Sequence, residues 1–329
     1  MSENYRTTVI DAGGRYGLHP SWKPFSGELD YYLFEPDSIE SKRLLEKYAG
    51  RSDEVKIIDK AIAKENGKLT INFFKNRAMS SSIVRHPVSA LFKGERLAEV
   101  EIVESVEVAA VSIDSFAADR ELAVDFLKLD TEGTEYAILE GAAKQLRDNI
   151  LGVRCEVAFD RIFEGMPLFG DLNKLLLDQG YYLLNLDYDG RGDNQNDFVQ
   201  IPGRYGILTA SDAVWLKKQD LLFADAEKSN RSLEAQVLKY AAFCLNNSAP
   251  DVALDTLFKA RRAHGADFDR LRETRLYRFV DLKLQKHFYS LKWQPGQTLL
   301  GCQKAFQEIF GKKMKELNEF MESRELNPD

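Results

Sequence analysis

A short apolar strand that ends in closely spaced glycines, followed by an acid at the end of the next strand, constrains this chain more than any other feature. Val9-Ile10-Asp11-Ala12-Gly13-Gly14-Arg15-Tyr16-Gly17 leads, about twenty residues on, to Leu33-Phe34-Glu35-Pro36. Glycine has no Cβ and tolerates positive φ, so such a turn lets the backbone pass close to a ligand. An acid at the end of the second strand is spaced to reach a ribose diol, the logic of the dinucleotide folds, whose fingerprint is G-x-G-x-x-G with an acid about 20 residues further on. The glycines here do not fit that fingerprint: Gly13 and Gly17 follow Asp11 as D-x-G-x-x-x-G.

Apolar, β-branched runs alternate with stretches of helical period as far as about residue 218, the pattern of a parallel sheet covered by helices. Strands are expected at Thr7 to Asp11, Tyr31 to Phe34, Val55 to Ile58, Leu69 to Phe74, Phe126 to Leu129, Val153 to Phe159, Tyr181 to Leu186 and Ala213 to Leu216. Asp11, Glu35, Asp130 and Glu156 then stand near the carboxyl ends of strands, where ligands of this fold collect. Between the glycine turn and the second strand, His19-Pro20-Ser21-Trp22-Lys23-Pro24-Phe25 carries two prolines and reads as a loop or broken helix. It is the expected substrate lid. After Lys217-Lys218 the pattern is helical: Gln219 to Leu245, Pro250 to Ala263, Asp267 to Trp293 and Thr298 to Met321, with breaks at Asn/Ser/Pro, Gly265 and Pro295-Gly296. The expected domains are therefore residues 1–218 and an all-α region, 219–329, serving dimerisation, docking or substrate coverage.

A longer segment, Asp125-Phe126-Leu127-Lys128-Leu129-Asp130-Thr131-Glu132-Gly133-Thr134-Glu135-Tyr136-Ala137-Ile138-Leu139-Glu140-Gly141-Ala142, resembles the central motif of the FkbM-type methyltransferases, D-F-[IL]-K-[IL]-D-x-E-G-x-E-x-x-[IL]-x-G-A. Phe34-Glu35-Pro36, Ala61-Ile62 with Gly67, Ser80-Ser81-Ser82 and Val111-Ser112-Ile113-Asp114-Ser115-Phe116 are similar to further marks of that family, in order. The resemblance covers roughly residues 7 to 160, with a weaker tail to about residue 218. It implies a Rossmann-like class I methyltransferase α/β fold with a doubly wound sheet, S-adenosylmethionine as cofactor, and an oxygen acceptor such as a hydroxyl of a sugar, glycan precursor or secondary metabolite. Gly14 and Arg15 depart from the family's commoner D-x-G-A-N-x-G.

On that resemblance Asp11, Gly13, Gly14 and Gly17 carry the methionine end of the cofactor, Glu35 takes the ribose hydroxyls, and Asp59 and Ala61 lie near the adenine. Glu35 also reads as a helix N-terminal acid beside Pro36, a role that Asp37 and Ser38 serve better. Methyl transfer to a hydroxyl needs the acceptor aligned and its proton removed, for which Asp130, Glu132, Glu156 and His19 are the candidates. The three acids offer hard oxygen ligands that suit Mg²⁺, though no spacing demands a metal. Glu135 and Glu140 read as ordinary acids of the following helix. Trp22, Ser80-Ser81-Ser82 and Arg161 to Gly170 are the expected acceptor contacts.

Composition sets the remaining bounds. The 329 residues are 44% hydrophobic and 29% charged, ordinary globular material. A formal net charge of −7 makes nucleic acid an unexpected partner, although residues 261–329 hold 14 Lys and Arg against 10 Asp and Glu. No apolar leader and no window of about 20 apolar residues is present, so a cytoplasmic protein with a small-molecule or carbohydrate acceptor is expected, a homodimer through the helical region being one arrangement. Cys155, Cys244 and Cys302 are odd in number and far apart, which argues against disulfides and zinc; Cys155 reads as a buried structural thiol. The same fold also admits a nicotinamide-dependent oxidoreductase, which would need the missing G-x-G-x-x-G, or a scaffold that has kept only the methyltransferase shell.

Overall fold

The structure is a computed structural model that describes residues 5–87, 89, 94–187, 208–228, 231–290 and 307. Cys302 and all of the expected helix Thr298 to Met321 except Gln307 lie outside the described residues. The chain divides into two compact units, Arg6–Leu222 and a smaller one that takes Met1–Tyr5 and Phe223–Asp329.

In the larger unit a seven-stranded sheet contains β1 (Thr7–Ala12), β2 (Leu29–Phe34), β3 (Val55–Ile58), β7 (Phe126–Leu129), β8 (Gly152–Ala158), β9 (Tyr181–Asp187) and β10 (Ala210–Lys217) in the order β3-β2-β1-β7-β8-β10-β9. All pairs are parallel except those of β10, which runs antiparallel to both β8 and β9. The chain leaves β1 for β2 on one side and later sets β7 on the other, so the switch in strand order falls at the carboxyl end of β1. This is the doubly wound, mostly parallel α/β architecture that the alternating pattern implies. The described residues of the smaller unit are mainly helical, with α7 (Leu233–Asn246), α8 (Pro250–His264) and α9 (Arg275–Ser290). Pro250 opens α8 at its first turn, and Gly265 ends it at a left-handed φ of 66°.

Strand alternation sorts the sheet's two faces. Ile10, Ala12, Tyr32, Phe34, Leu127, Leu129, Val153, Cys155, Val157, Ala213 and Trp215 make one apolar face, buried under α2 (Ile113–Ala118), α3 (Glu135–Glu140), α4 (Ala143–Asp148) and α5 (Phe169–Asp178). Cys155 is fully buried there. The opposite face is apolar toward the strand starts, where Val9 and Phe126 pair in register. Farther along it carries Asp11, Lys128, Arg154, Glu156 and Asp212, aligned by the pairings Asp11 with Lys128, Lys128 with Arg154 and Glu156 with Asp212.

Two expectations change. His19 to Phe25 is not a lid: Pro20–Phe25 forms a 3₁₀ turn whose Trp22 and Phe25 are buried against Phe126, with ring centroids 5.5 and 5.8 Å away. Trp22 is therefore core and no acceptor contact. Leu69 to Phe74 does form a strand, but outside the main sheet. It belongs to β5 (Gly67–Phe74), which pairs with β6 (Ile102–Val111), itself beside the short β4 (Ala61–Ile62), as a separate three-stranded sheet. Alternation in β6, whose outward positions are exposed, was the available signal for this insertion.

Gly13 fixes the meeting of β1 and β7. Its φ is +80°, and a Cβ added there would fall on the Asp130 carbonyl oxygen, backbone that cannot swing aside. Gly13→Ala is expected to lower stability by about 2 to 4 kcal/mol through positive-φ strain and forced separation of the two strand ends; urea unfolding measures it, and a loss within error of zero contradicts the assignment.

Candidate active site

An open cleft, about 660 Å³ counted with its mouth to solvent, lies over the carboxyl ends of β1, β2 and β7. Gly13 and Arg15 line it from the turn after β1, Glu35 and Pro36 from the end of β2, and Lys60, Ala61 and Ile62 from the segment after β3. The inserted sheet closes a further side with Leu69, Ile71 and Phe73, and the turn after it adds Arg77 and Ser80 to Ser82. Asp130, Thr131, Glu132 and Thr134 complete the lining.

Glu35 is buried, and its Oε1 accepts the Asp37 N–H at 2.8 Å. Burial pushes its pKa up to about 7, against the opposing pull of that N–H and of Arg15. Its neighbour behaves in the opposite way. Asp37 caps α1 (Ser38–Lys47) by accepting from the Ile39 N–H, and its Oδ2 also accepts from Arg15 at 3.0 Å and Arg77 at 2.8 Å. Against the penalty of burial, those guanidinium bonds hold it down to about 2. The two readings of Glu35 thus separate: Asp37 caps the helix, and the Glu35 carboxyl lines the cleft.

The Asp130 segment is held from three directions. Lys128 Nζ lies 3.1 Å from Asp130 Oδ2 and 3.4 Å from Asp11 Oδ1. Although burial opposes it, the charges of Asp11 and Asp130 hold the ammonium above its usual range. Glu135 is more than a helix acid. Its carboxylate accepts from the Thr131 N–H at 2.6 Å, the Thr131 hydroxyl at 2.9 Å and the Gly133 N–H at 3.1 Å, tying down a loop in which Glu132 has a φ of 57°. From the inserted sheet, Ser81 Oγ donates to the Glu132 carbonyl at 2.6 Å. The loop consequently brings Asp130 and Glu132 to Glu156 of β8, and each of the three offers an oxygen within 4.8 Å of the others. Burial, then mutual repulsion, drives the Glu132 and Glu156 carboxyls well above the ordinary range.

Other expected residues are placed differently. Asp11 is fully buried, accepts from the Tyr31 hydroxyl and faces Lys128; it does not line the cleft. Its pairing with a buried ammonium across β1 and β7 takes it away from any cofactor ammonium. Gly14 and Gly17 shape the turn without lining it, since their missing side chains make room for Leu33 and for the Tyr48 hydroxyl. Asp59 is exposed and outside the lining, whereas Ala61 is within it. Glu156 joins the acid group without lining the cleft. His19 is unsuited to act as a base. Its Nδ1 accepts the Ser21 N–H at 3.2 Å, which puts the ring proton on Nε2. Burial and the positive charges of Arg154 and Lys128 lower its pKa to about 4.

Comparison with known proteins bears on this geometry. The family model described as the methyltransferase FkbM domain matches residues 25–183.

This chain carries an FkbM methyltransferase domain.

The match includes Glu35, Ala61 and the whole Asp130 to Glu156 region, and leaves out β1 and its glycine turn. No curated protein matches the chain. Among solved structures, the chain is similar to a methyltransferase FkbM from Methylobacillus flagellatus KT at 15% identity, over 64% of this chain and 44% of that one, with a TM-score of 0.39. A human methyltransferase 10 domain containing protein is similar at 12% identity, over 64% of this chain and 72% of that one, with a TM-score of 0.30. TrmK of M. capricolum, in complex with S-adenosyl-homocysteine, is similar at 11% identity, over 87% of this chain and 92% of that one, with a TM-score of 0.29. These likenesses are too distant to bear on substrate. The chain spans less than half the length of the Methylobacillus protein. Among the described residues, no helix of the chain is long and apolar enough to cross a membrane.

Lys128, Arg15 and Arg77 are site residues for which the sequence reading gave no role. A lysine inside the otherwise apolar Phe126-Leu127-Lys128-Leu129 was a legible signal; Arg77 had none, because it reaches Asp37 from an insertion. With its folded pKa near 7 and an ordinary value of 4.5, the Glu35 carboxyl binds protons more tightly in the folded FkbM domain. That stability is present below about pH 4.5 and lost as pH rises through about 7. Glu35→Gln is expected to gain on the unmodified protein between pH 4.5 and 8 by up to about 3 kcal/mol; unfolding curves across that range test it, a constant difference being the contrary result.

Proposed function

We propose that this methyltransferase uses S-adenosylmethionine to methylate an oxygen acceptor, a hydroxyl of a sugar, glycan precursor or secondary metabolite. One observation carries the cofactor: a single cleft has Glu35 and Ala61 toward one side and Asp130 and Glu132 toward the other. Glu35, ionised, accepts the ribose hydroxyls in charge-assisted bonds, and the apolar Ile71 and Phe73 with Ala61 give the adenine a dry wall. The sulfonium, a fixed cation, belongs beside the acids at the Asp130 end.

In the reaction the acceptor oxygen attacks the methyl carbon in line, the S–CH₃ bond breaks as the O–CH₃ bond forms, and sulfur leaves as a neutral thioether. The hydroxyl proton passes to a carboxylate. Asp130, exposed to the cleft and braced by Lys128, is the first candidate to orient the acceptor or take that proton. Glu132 is the second: a carboxyl whose pKa burial raises is a stronger base once ionised. Bringing a sulfonium beside Glu132 and Glu156 favours their ionised forms, so the methyl donor itself prepares the base. Glu156 supplies part of the negative field without touching the cleft. No metal enters this scheme, because the Lys128 ammonium already neutralises charge on Asp130.

Calorimetric titration with S-adenosylmethionine and, separately, NAD tests the reading. Saturable binding of the first alone, with release of protons near pH 7 as Glu35 ionises, is the expected result; binding of NAD alone refutes it, and binding without transfer to any screened hydroxyl compound favours a scaffold. Glu35→Ala is expected to weaken cofactor binding at least tenfold, while Glu140→Ala, whose exposed side chain pairs with Lys64, leaves it unchanged. Asp130→Asn is expected to depress turnover by about 10²-fold or more with cofactor affinity retained; an unchanged rate removes Asp130 from the chemistry.

A further inference from the structure

The cleft is electrically polarised. At one end stand Asp130 and Glu132, with Glu156 close behind. At the other, Arg15 and Arg77 line the wall and share one carboxylate, Asp37. Two guanidinium groups share that one hydrogen-bonded acid; Arg15 also acts through space on Glu35, and the further acid on Arg77, Glu104, is 3.6 Å away and half exposed. A ligand complementary to such a cleft carries a cation and an anion at separate places.

Arg15 is the better placed of the pair. It sits on the turn between Gly13 and Gly17, two residues after the glycine that abuts Asp130. Its Nη1 donates to Asp37 at 3.0 Å, which orients the guanidinium plane. Among the described residues, its Nε and Nη2 donate to no protein atom, so most of the five N–H donors of an arginine remain free. The side chain is 23% exposed, reachable yet held. Arg77, by contrast, lies flat on Phe73, 4.0 Å from the ring centroid, and spends its Nε on Asp37. It steadies the arrangement.

Resting on the cofactor reading above, we propose that Arg15 is a cofactor-binding residue whose free N–H donors hold the α-carboxylate of S-adenosylmethionine. The cofactor has the required charge pattern: a sulfonium and an ammonium, with one carboxylate. That carboxylate is repelled by the acid end, and the glycine turn that brings backbone close to the ligand also delivers Arg15. Carboxylate is the group that a guanidinium fork matches best, through charge-assisted paired bonds. The pairing also explains how a long cation stands where the resembling family commonly has asparagine: Asp37, locked at the N-terminus of α1, anchors it.

The test removes the carboxylate from the ligand and the charge from the protein in turn. Affinities of S-adenosylmethionine and decarboxylated S-adenosylmethionine, which differ in that group alone, are measured by calorimetry for the unmodified protein, Arg15→Ala and Arg15→Gln. The unmodified protein is expected to favour S-adenosylmethionine at least tenfold. Both variants are expected to bring that ratio near one while binding the decarboxylated ligand as the unmodified protein does. Arg15→Gln keeps a donor for Asp37 and reads the ratio even where Arg15→Ala fails to fold. A preference that survives in a folded variant, or none in the unmodified protein, overturns the assignment to Arg15. Failure of the unmodified protein to bind either ligand is a different result: it refutes the cofactor reading, and this assignment with it.

Discussion

The buried Lys128 ammonium, set between Asp11 and Asp130, is the interaction on which the rest of this site depends. A charge on an interior strand is tolerated only when paired and hydrogen-bonded, and Lys128 meets that condition across the seam where β1 and β7 run parallel. Removing either acid would leave a buried cation partly uncompensated, and removing the lysine would leave a buried acid facing another acid. The seam can close this tightly only because Gly13 has no side chain to meet the Asp130 carbonyl. A backbone requirement and an electrostatic one thus fall at the same place, the switch point of the sheet.

From that seam the acid loop is built outward. Glu132 sits in the left-handed region, where a residue with a Cβ is strained by roughly 1 to 2 kcal/mol. The surrounding bonds hold it there: Glu135 grips both sides of the turn, and Ser81 grips the Glu132 carbonyl from the inserted sheet. The three-stranded insertion therefore does two things. It walls the cleft with Leu69, Ile71 and Phe73, and it ties that wall to the strained acid.

How far the sequence could be read follows from the range of the forces involved. Strands of the main sheet were legible, since alternation is a local property and Phe126 to Leu129 reads as a strand without knowledge of its neighbours. The acids at strand ends were legible as positions, yet their partners were not. Asp11 resembled a ligand contact until its register with Lys128 was known, and register is a long-range fact. Trp22 and its prolines resembled a lid because composition does not say which way a short turn packs. Arg77 and Ser81 act on residues 40 and 51 positions away, and no spacing rule reaches across an inserted sheet.

Charge gives these parts a common direction. Without a ligand, Asp130, Glu132 and Glu156 crowd together with one ammonium on Asp130, and the two glutamates resist ionisation. A cation placed among them relieves the repulsion that the folded loop imposes. The energy of folding that maintains a crowded acid group is thereby returned as selectivity for a positively charged ligand, because linkage requires that a species stabilising the ionised group be bound more tightly by it. A neutral thioether offers no such relief. In the proposed reaction the group that favours the donor before transfer loses its electrostatic hold on the product after it, so release of product is written into the same acids that position the methyl.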